Sequence, residues 1–409
     1  MRRVVITGLG AVTPVGNDVP AMWENMLAGR HGFGPITRFD NTGLKVSLAA
    51  EVKDFDPLRY IEKSELRKTD LYAQYAIAAA SQAMEDSGLA GKIDSARLGV
   101  YIGSGIGGFE TFIDAANTMA AKGPGRVSPF FIPMMIGNMA AALVALRYKA
   151  QGPCLPVVTA CATGTHAIGE AFRAIKHGYA DAIVAGGAEA AITALSMGGF
   201  SSCRALSTST DPDCCSIPFD ARRDGFVMGE GAGVLVLEEY EHAKARGASI
   251  YCEISGYGNT CDAYHVTAPD PEATGGAAMI RDAFAEAGRI PDEKLYVNPH
   301  GTSTPLNDKT ESLALKLALG EETARKVAIS STKSMTGHML GAAGGVEAIA
   351  AVLALRDGMA PPTVGLAQPD PDCDLDYVPG SSRRVEINKA LSMSLGFGGH
   401  NACVLLNTL

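Results

Sequence analysis

The sequence predicts an α/β fold built from two halves of similar topology. Short, nearly continuous apolar runs alternate with helix-like stretches along all 409 residues, a pattern typical of a sheet covered by helices on both faces. The same series of segments also occurs twice in the same order. Hydrophobic residues make up 47% of the chain and charged residues 19%, an ordinary globular balance for a protein that buries a large core.

The predicted elements follow from these runs in chain order. The apolar runs predict strands over Val4–Thr7, Leu98–Ile102, Pro156–Thr159, Ala182–Ala185, Gly233–Glu238 and Ala402–Leu406. The longer stretches between them predict helices over Asp70–Asp86, Gly164–His177, Gly275–Ala287, Lys309–Ala318 and Gly344–Asp357.

A loose internal repeat relates the two parts of the chain. It pairs Val5–Gly10 with Glu253–Gly258, Ala83–Gly88 with Ala283–Gly288, Leu98–Ile102 with Leu295–Asn298, and Ala167–Gly178 with Ala348–Gly358. Chance similarity among small apolar residues is the alternative. We predict two domains, residues 1–250 and 251–409, which pack as a pseudo-dimer and are joined through the polar stretch Glu238–Ser249.

Composition narrows the functional classes. A formal charge of −9 argues against a nucleic-acid partner, because phosphate binding requires a basic surface. Nine cysteines cannot all pair with one another, and none forms a Cys-x-x-Cys motif, which indicates free thiols in a reducing compartment. Neither a signal peptide nor an apolar run long enough to insert into a membrane is recognisable. We therefore expect a cytoplasmic protein.

Cys161 is the first candidate catalytic residue. A predicted strand runs into it and a helix of small residues runs out of it, which is the geometry of a nucleophile elbow. A helix N-terminus lowers the pKa of a thiol, so we expect an activated thiolate at Cys161. The alternative is a buried structural cysteine, the more common state of a free thiol.

Two histidine loops supply further candidates. His300 follows a strand and precedes Thr302 and Thr304, which are spaced to bind an extended polar chain. His338 lies five residues after Lys333 in a glycine-lined loop. Because the internal repeat equates this loop with the one that carries Cys161, we expect the two loops to face a common pocket. The alternatives are loop histidines with ordinary hydrogen bonds and a solvated lysine.

The fourth segment surrounds a single aromatic residue with glycines. Phe397 follows Gly396 and precedes Gly398 and Gly399. The backbone N–H groups of this segment are therefore open to a substrate, and the Phe397 ring is free to swing. Such N–H groups can form an oxyanion hole. A plain turn with a core phenylalanine is the alternative.

Together the four segments resemble the signature segments of the β-ketoacyl-acyl-carrier-protein synthases, the condensing enzymes of fatty-acid synthesis. The matching motifs are TAC-x-x-G-x-H at 159–166, HGTSTP at 300–305, KS-x-TGH-x-x-GAAG at 333–344 and GFGGHN at 396–401. The resemblance covers essentially the whole chain, and the subtype it resembles most is the elongating form, synthase II.

The resemblance implies a thiolase fold, in which two pseudo-symmetric halves form α/β/α/β/α layers, and a homodimeric acyltransferase. It makes Cys161 the nucleophile that is acylated and assigns His300 and His338 to decarboxylation of a malonyl thioester. It further implies that Lys333 positions His338 and that the N–H groups of Cys161 and Phe397 form the oxyanion hole. The Phe397 ring would gate the pocket.

The resemblance also implies how substrates are held. Thr267, Thr302 and Thr304 would contact the phosphopantetheine arm of an acyl carrier protein, and Ile106 and Phe200 would line the acyl tunnel. The acidic carrier protein would dock on a group of cations, Lys63, Arg67, Lys68, Arg126 and Arg204. The alternative for these cations is scattered solvated charge. No cofactor is expected beyond the carrier's own phosphopantetheine, and no metal.

Several related activities compete with this interpretation. A thiolase would carry a second catalytic cysteine in a Cys-x-Gly turn, which Cys403-Val404-Leu405 lacks, and an initiating synthase would replace one histidine by asparagine. A polyketide-type ketosynthase stays open. So does a non-catalytic partner subunit of a condensing enzyme, although Cys161 argues against it. We predict decarboxylative condensation of an acyl group with malonyl-acyl-carrier protein, the elongating step of fatty-acid biosynthesis.

Overall fold

The computed structural model describes residues 2–409. Its strands are β1 Val4–Val12, β2 Gly34–Pro35, β3 Leu48–Ala49, β4 Leu98–Gly103, β5 Ala182–Glu189, β6 Gly231–Glu239, β7 Cys252–Cys261, β8 Leu295–Asn298, β9 Ala328–Ile329, β10 Met359–Ala360, β11 Arg383–Arg384, β12 Lys389–Gly396 and β13 His400–Asn407. Its helices are α1 Val19–Leu27, α2 Lys63–Leu66, α3 Leu71–Ser87, α4 Phe109–Lys122, α5 Phe131–Met135, α6 Met139–Tyr148, α7 Thr163–Lys176, α8 Ala194–Ser202, α9 Tyr240–Ala245, α10 Thr274–Ala287, α11 Pro305–Leu319, α12 Glu321–Ala324, α13 Lys333–Thr336 and α14 Ala343–Asp357.

Nine strands form a sheet in the order β4-β5-β6-β1-β7-β13-β12-β8-β9. Strands β1 and β7 pair only along Val4–Ile6, and this short antiparallel contact joins two half-sheets. The order β4-β5-β6-β1 of the first matches β8-β12-β13-β7 of the second, and successive pairs are parallel, antiparallel and antiparallel in both. The predicted pseudo-symmetry is therefore present in the strand order.

Helices fill three layers around the two half-sheets. Helices α3 and α6 cover the outer face of the first, and α10, with α11 beside it, covers the outer face of the second. Helices α7 and α14 lie between them and contact strands of both. The resulting α/β/α/β/α order confirms the predicted fold class.

The central position of α14 explains its composition. Almost all of its residues are buried, and apart from Glu347 the buried ones are small or aliphatic because a sheet lies on either side. Glycine is required where this helix meets strand β6. A Cβ added at Gly345 would lie 2.1 Å from the carbonyl oxygen of Gly233, so a larger residue would force the helix and the strand apart.

One predicted strand is wrong. Residues 156–159 run without sheet pairing, and the neighbouring segment contributes only an isolated bridge between Cys154 and Val100. Pro153 and Pro156 flank this bridge, and proline has no N–H to donate to a sheet ladder. Within residues 2–409, no helix combines the length and the apolar character that crossing a membrane requires.

Candidate active site

A cavity of about 260 Å³ opens between loops of the two halves. It is lined by Cys161, His300 and His338, the three residues that the sequence singled out for catalysis. Other predicted site residues in its wall are Phe200, Arg204, Thr267, Thr302, Thr304 and Phe397. Residues from both halves of the repeat thus meet in one pocket, as expected from the correspondence between their loops.

Cys161 lies in a tight turn at the start of α7. The turn, Ala160–Ala162, is a single 3-10 turn, and Ala160 adopts a left-handed conformation with φ of 51°. Gly396 allows the glycine-rich loop to approach, because a Cβ there would lie 2.9 Å from the Thr159 carbonyl oxygen. The backbone N–H of the neighbouring Phe397 favours the charged form of the Cys161 thiol.

The expectation of an activated thiolate at Cys161 is not met. Burial raises the pKa of the Cys161 thiol to about 12, although the Lys333 ammonium and the Phe397 N–H act in the opposite direction. The physical reason is the apolar cluster around the sulfur, which includes Phe226 and Leu340 and disfavours the charged form. In the unliganded protein the thiol is therefore protonated.

The two histidines face each other inside the cavity. Their ring centroids are 5.1 Å apart and their planes stand at 87°. Phe226 packs edge-on against His338 at 5.0 Å. Burial, together with the positive charge of Lys333, lowers the pKa of both His300 and His338 well below the ordinary value, so both imidazoles are neutral.

Lys333 contacts His300 directly, and its charge, together with burial, also acts on His338. That Lys333 positions His338 stays a prediction. The Lys333 ammonium donates to the His300 carbonyl oxygen at 2.6 Å and lies 3.5 Å from Nδ1 of the same residue. The physical reason is an ion pair with Glu347 of α14, which holds the ammonium under the His300 loop. The lysine is only 1% exposed, so this pair is shielded from solvent.

Glu311 is a site residue that sequence reasoning missed. From α11 its buried carboxyl group accepts hydrogen bonds from the N–H groups of His300 and Gly301, the latter at 2.7 Å. Burial raises the pKa of Glu311 to about 8. No local motif identifies this contact, because only the packing of α11 against the end of β8 brings the two segments together.

The residues predicted to hold substrate divide into two groups. Thr302 and Thr304 lie in the cavity wall with their hydroxyl oxygens 2.8 Å apart, and Thr267 is exposed in the same wall. Phe200 lies there too, with its ring 6.2 Å from that of Phe397. Ile106 lies outside the cavity, because the loop after β4 turns its side chain toward the surface, where it is 37% exposed.

The predicted docking cations are all exposed. Lys63 belongs to α2, and Arg67 and Lys68 follow directly after this short helix. The Lys68 ammonium lies 5.6 Å above the Phe130 ring, and Arg126 lies four residues before that ring in the chain. Arg204 lines the cavity and is the only one of the five in its wall.

The polar groups that face the cavity are suited to an organic substrate. They include the hydroxyl groups of Thr302 and Thr304, the amide of Asn401 and the two imidazoles, together with the charged side chains of Asp262 and Arg204. Across residues 2–409, no three or more His, Cys, Asp or Glu side chains come together in a cluster that could hold a metal ion.

This fold and site define a condensing enzyme with a cysteine and two histidines. Residues 1–243 match the family model described as beta-ketoacyl synthase, N-terminal domain, and residues 251–367 match its C-terminal domain. The chain belongs to the β-ketoacyl synthase family.

Individual relatives sharpen this assignment. The chain is 52% identical to 3-oxoacyl-[acyl-carrier-protein] synthase 2 of Synechocystis sp., covering 98% of this chain and 96% of the relative. The Coxiella burnetii protein of the same name is 51% identical to this chain, and the match covers 99% of this chain and 98% of the relative. A β-ketoacyl synthase structure from Burkholderia phymatum has a TM-score of 0.93 at 36% identity, covering all of both chains. The predicted acyltransferase class is thereby confirmed.

A polyketide enzyme is also among the structural neighbours. A ketosynthase solved in complex with its type II acyl-carrier protein superposes with a TM-score of 0.92 at 36% identity, covering 100% of this chain and 99% of that one.

Proposed function

We propose that this cavity catalyses the elongating condensation of fatty-acid biosynthesis. An acyl group held on Cys161 would react with malonyl-acyl-carrier protein to give a 3-oxoacyl-carrier protein and CO2. The observation that carries the proposal is the meeting of Cys161 with two buried, neutral imidazoles in one cavity. A thiol can hold the acyl group, and two N–H donors can stabilise an enolate.

The first step transfers the acyl group. The Cys161 sulfur attacks the thioester carbonyl of the incoming acyl-carrier protein, and the bond from that carbonyl carbon to the pantetheine sulfur breaks. The thiol proton leaves with the pantetheine sulfur, which departs as a free thiol. N–H groups of Cys161 and Phe397 would stabilise the negative charge on the tetrahedral intermediate, since both lie beside the sulfur.

The second step forms the carbon–carbon bond. The malonyl thioester loses CO2, and its electron pair passes to an enolate whose oxygen accepts hydrogen bonds from His300 and His338. The enolate carbon attacks the acyl carbonyl on Cys161, the bond from the acyl carbon to the cysteine sulfur breaks, and the released thiolate takes up a proton. Neutral imidazoles suit this role because each donates one N–H.

The remaining side chains would support these steps. Lys333 would hold the His300 loop in place and keep both rings neutral by its charge. The Phe397 ring would gate the pocket beside Phe200, and Thr267, Thr302 and Thr304 would bind the phosphopantetheine arm. For Ile106 we propose a position at the distal end of the acyl path, outside the cavity described above.

The partner would be an acidic acyl carrier protein. The exposed cations at Lys63, Arg67, Lys68, Arg126 and Arg204 would attract it, with Arg204 nearest the cavity. No other cofactor is needed, because the carrier brings its own phosphopantetheine.

We further propose a cytoplasmic homodimer whose chain divides near residue 250. Support for the dimer comes from apolar side chains left exposed around α4, α5 and the unpaired segment between α6 and α7, among them Ile132 at 55% and Val158 at 59%. Nine free cysteines fit a reducing compartment. The division near residue 250 follows the strand order, since β1 to β6 and β7 to β13 contribute the two equivalent half-sheets.

The second candidate is a polyketide-type ketosynthase, which the structural neighbours favour at 36% identity. The identity of about 52% to elongating synthases favours the fatty-acid role. Condensation assays that compare saturated acyl donors with 3-oxoacyl donors separate the two. Preference for 3-oxoacyl donors would favour the polyketide role, and failure to form an acyl-enzyme with either would favour a non-catalytic subunit.

The experiment that tests the mechanism measures CO2 release from malonyl-carrier protein without an acyl donor. His300→Ala and His338→Ala should each lose about 3–4 kcal/mol of transition-state stabilisation, the usual loss for one oxyanion donor. Cys161→Ala should stop condensation yet retain CO2 release, because the enolate donors stay in place. His177→Ala, at an exposed histidine outside the cavity, is the matched control. Loss of CO2 release in Cys161→Ala as complete as in the histidine variants would contradict this division of labour.

A further inference from the structure

Glu189 has a buried carboxylate that the proposed chemistry does not use. It ends strand β5 and is fully buried. Its Oε1 accepts from the Ser104 hydroxyl at 2.8 Å and the Ile106 N–H at 3.3 Å, and its Oε2 accepts from the Gly105 N–H at 2.8 Å and the Gly341 N–H at 3.0 Å. One side chain therefore ties together two loops that belong to different halves of the molecule.

Pseudo-symmetry explains why the Gly341 N–H is available. Gly341 is the middle residue of the 3-10 turn Leu340–Ala342 before α14, just as Cys161 is the middle residue of its turn before α7. The residue preceding each is left-handed, with φ of 51° at Ala160 and 47° at Leu340. The N–H that serves an oxyanion at Cys161 in our proposal thus has a counterpart at Gly341 that is already occupied by the Glu189 carboxylate.

The two loops tied by Glu189 lie directly beside the reacting groups. Gly341 comes three residues after His338. A Cβ at Gly341 would lie 2.5 Å from the Gly105 nitrogen, and one at Gly105 would lie 3.6 Å from the Ala160 carbonyl oxygen, so the two backbones and the Cys161 turn are in close contact.

We propose that Glu189 is a positioning residue that fixes the wall met by a long acyl chain on Cys161. Its carboxylate holds the loop of Ser104, Gly105 and Ile106 against the turn that follows His338. Ile106 itself lies outside the cavity. The inference rests on the proposed condensation. In this proposal a short acyl chain would not reach this wall, whereas a long one would pack against it.

The test replaces the carboxylate by an isosteric amide. In Glu189→Gln one oxygen becomes an NH2 group, which faces two hydrogen-bond donors and leaves them without an acceptor. We expect kcat/KM for a palmitoyl donor to fall about tenfold relative to a hexanoyl donor, mainly through KM, because losing such a buried hydrogen bond commonly costs about that factor. The kcat for the hexanoyl donor should stay within about twofold of wild type.

A pH profile separates positioning from simple destabilisation. Burial raises the pKa of the Cys161 thiol, and the nearby Glu189 charge raises it further. Removing that charge should move the pH midpoint of Cys161 alkylation by iodoacetamide downward. Glu238→Gln is the matched control, since Glu238 is equally buried but binds Thr7, His242 and Arg246 instead of the cavity loops. It should lower the unfolding midpoint and leave both the length profile and the alkylation profile unchanged.

Ser104→Ala provides a milder second variant. The Ser104 hydroxyl donates to Glu189 and accepts from the Gly107 N–H, and this variant removes both hydrogen bonds while keeping the Glu189 charge. It should therefore lower kcat/KM for the palmitoyl donor relative to the hexanoyl donor. The pH midpoint of Cys161 alkylation should not move. An unchanged palmitoyl-to-hexanoyl ratio in both folded variants would overturn the role of Glu189. A wild-type protein that condenses neither donor would instead overturn the proposed function itself.

Discussion

The neutrality of His300 and His338 predicts a specific pH dependence of stability. The enolate-stabilising role requires N–H donors without charge, and the structure buries both rings near Lys333. The perturbation is the double variant His300→Gln and His338→Gln, whose amides remain neutral at every pH. We expect this variant to lose less stability than wild type when the pH falls below about 6.5.

The sign follows from proton binding in the two states. Burial and the Lys333 charge lower the pKa of both histidines in the folded protein, so below the ordinary value near 6.5 the unfolded chain binds protons that the folded protein does not. Stability therefore falls as the pH falls. Each histidine contributes a slope that approaches about 1.4 kcal/mol per pH unit, and the pair about 3 kcal/mol per unit, as long as the native rings stay neutral.

The assay is denaturant unfolding at a series of pH values between neutral and mildly acidic. Glu311 acts with the opposite sign, since its pKa of about 8 makes it a source of stability that is lost as the pH rises toward 8. Its contribution is present in both proteins, so the difference between their slopes isolates the two histidines. His177→Gln, at an exposed ring, is the control. Equal slopes in wild type and double variant would refute the assignment of neutral imidazoles.

Three further predictions concern the gate, the docking cations and the buried ion pair. Phe397→Ala should reduce acyl transfer modestly, because the backbone N–H remains; kcat equal to wild type across acyl lengths would contradict a gating ring. Charge reversal at Lys63, Arg67 and Lys68 should raise KM for carrier-protein substrates but not for small thioesters, and the effect should shrink at high salt, where the screening length falls to about 3 Å at 1 M; an equal loss with both substrates would assign these residues to folding or catalysis. Lys333→Met should cost about 3–5 kcal/mol in denaturant unfolding, because Glu347 is left buried without its partner, and adding Glu347→Leu should recover much of that loss; a double variant as unstable as the single one would mean that the pair does not act as a unit.

The similar topology of the two halves was predictable because the duplication is visible in the sequence. The segment around Val5 matches that around Glu253, and these segments form the equivalent strands β1 and β7. Helices α4 to α6 were not predicted. The apolar residues of α4 and α5 lie at the surface, whereas the short helix α6 packs Ala140, Ala141 and Val144 against the first half-sheet. The strand expected over residues 156–159 failed for a local reason, since Pro156 at its start and Pro153 before it have no N–H to pair.

The predictability of the site also depends on whether a feature is local in the sequence or arises from packing. Cys161, His300 and His338 lie in local motifs at the ends of strands or the starts of helices, so their meeting followed from the repeat. The partner of Lys333 and the contacts of Glu311 depend on how helices pack on those motifs, which no local pattern encodes. The pKa of Cys161 shows the same limit. Helix position favoured a thiolate, yet the surrounding apolar cluster, which only the fold assembles, decides the protonation state.

Duplication followed by divergence gives a physical account of how one pocket holds two chemistries. Both halves place a left-handed residue and a 3-10 turn before a central helix, so each offers a backbone N–H at the same position. In the first half the turn residue is Cys161, whose thiol can carry the acyl group. In the second it is Gly341, which has no side chain to compete for space, and its N–H binds Glu189. The second loop is thereby fixed, and His338, three residues earlier, meets His300 across the cavity.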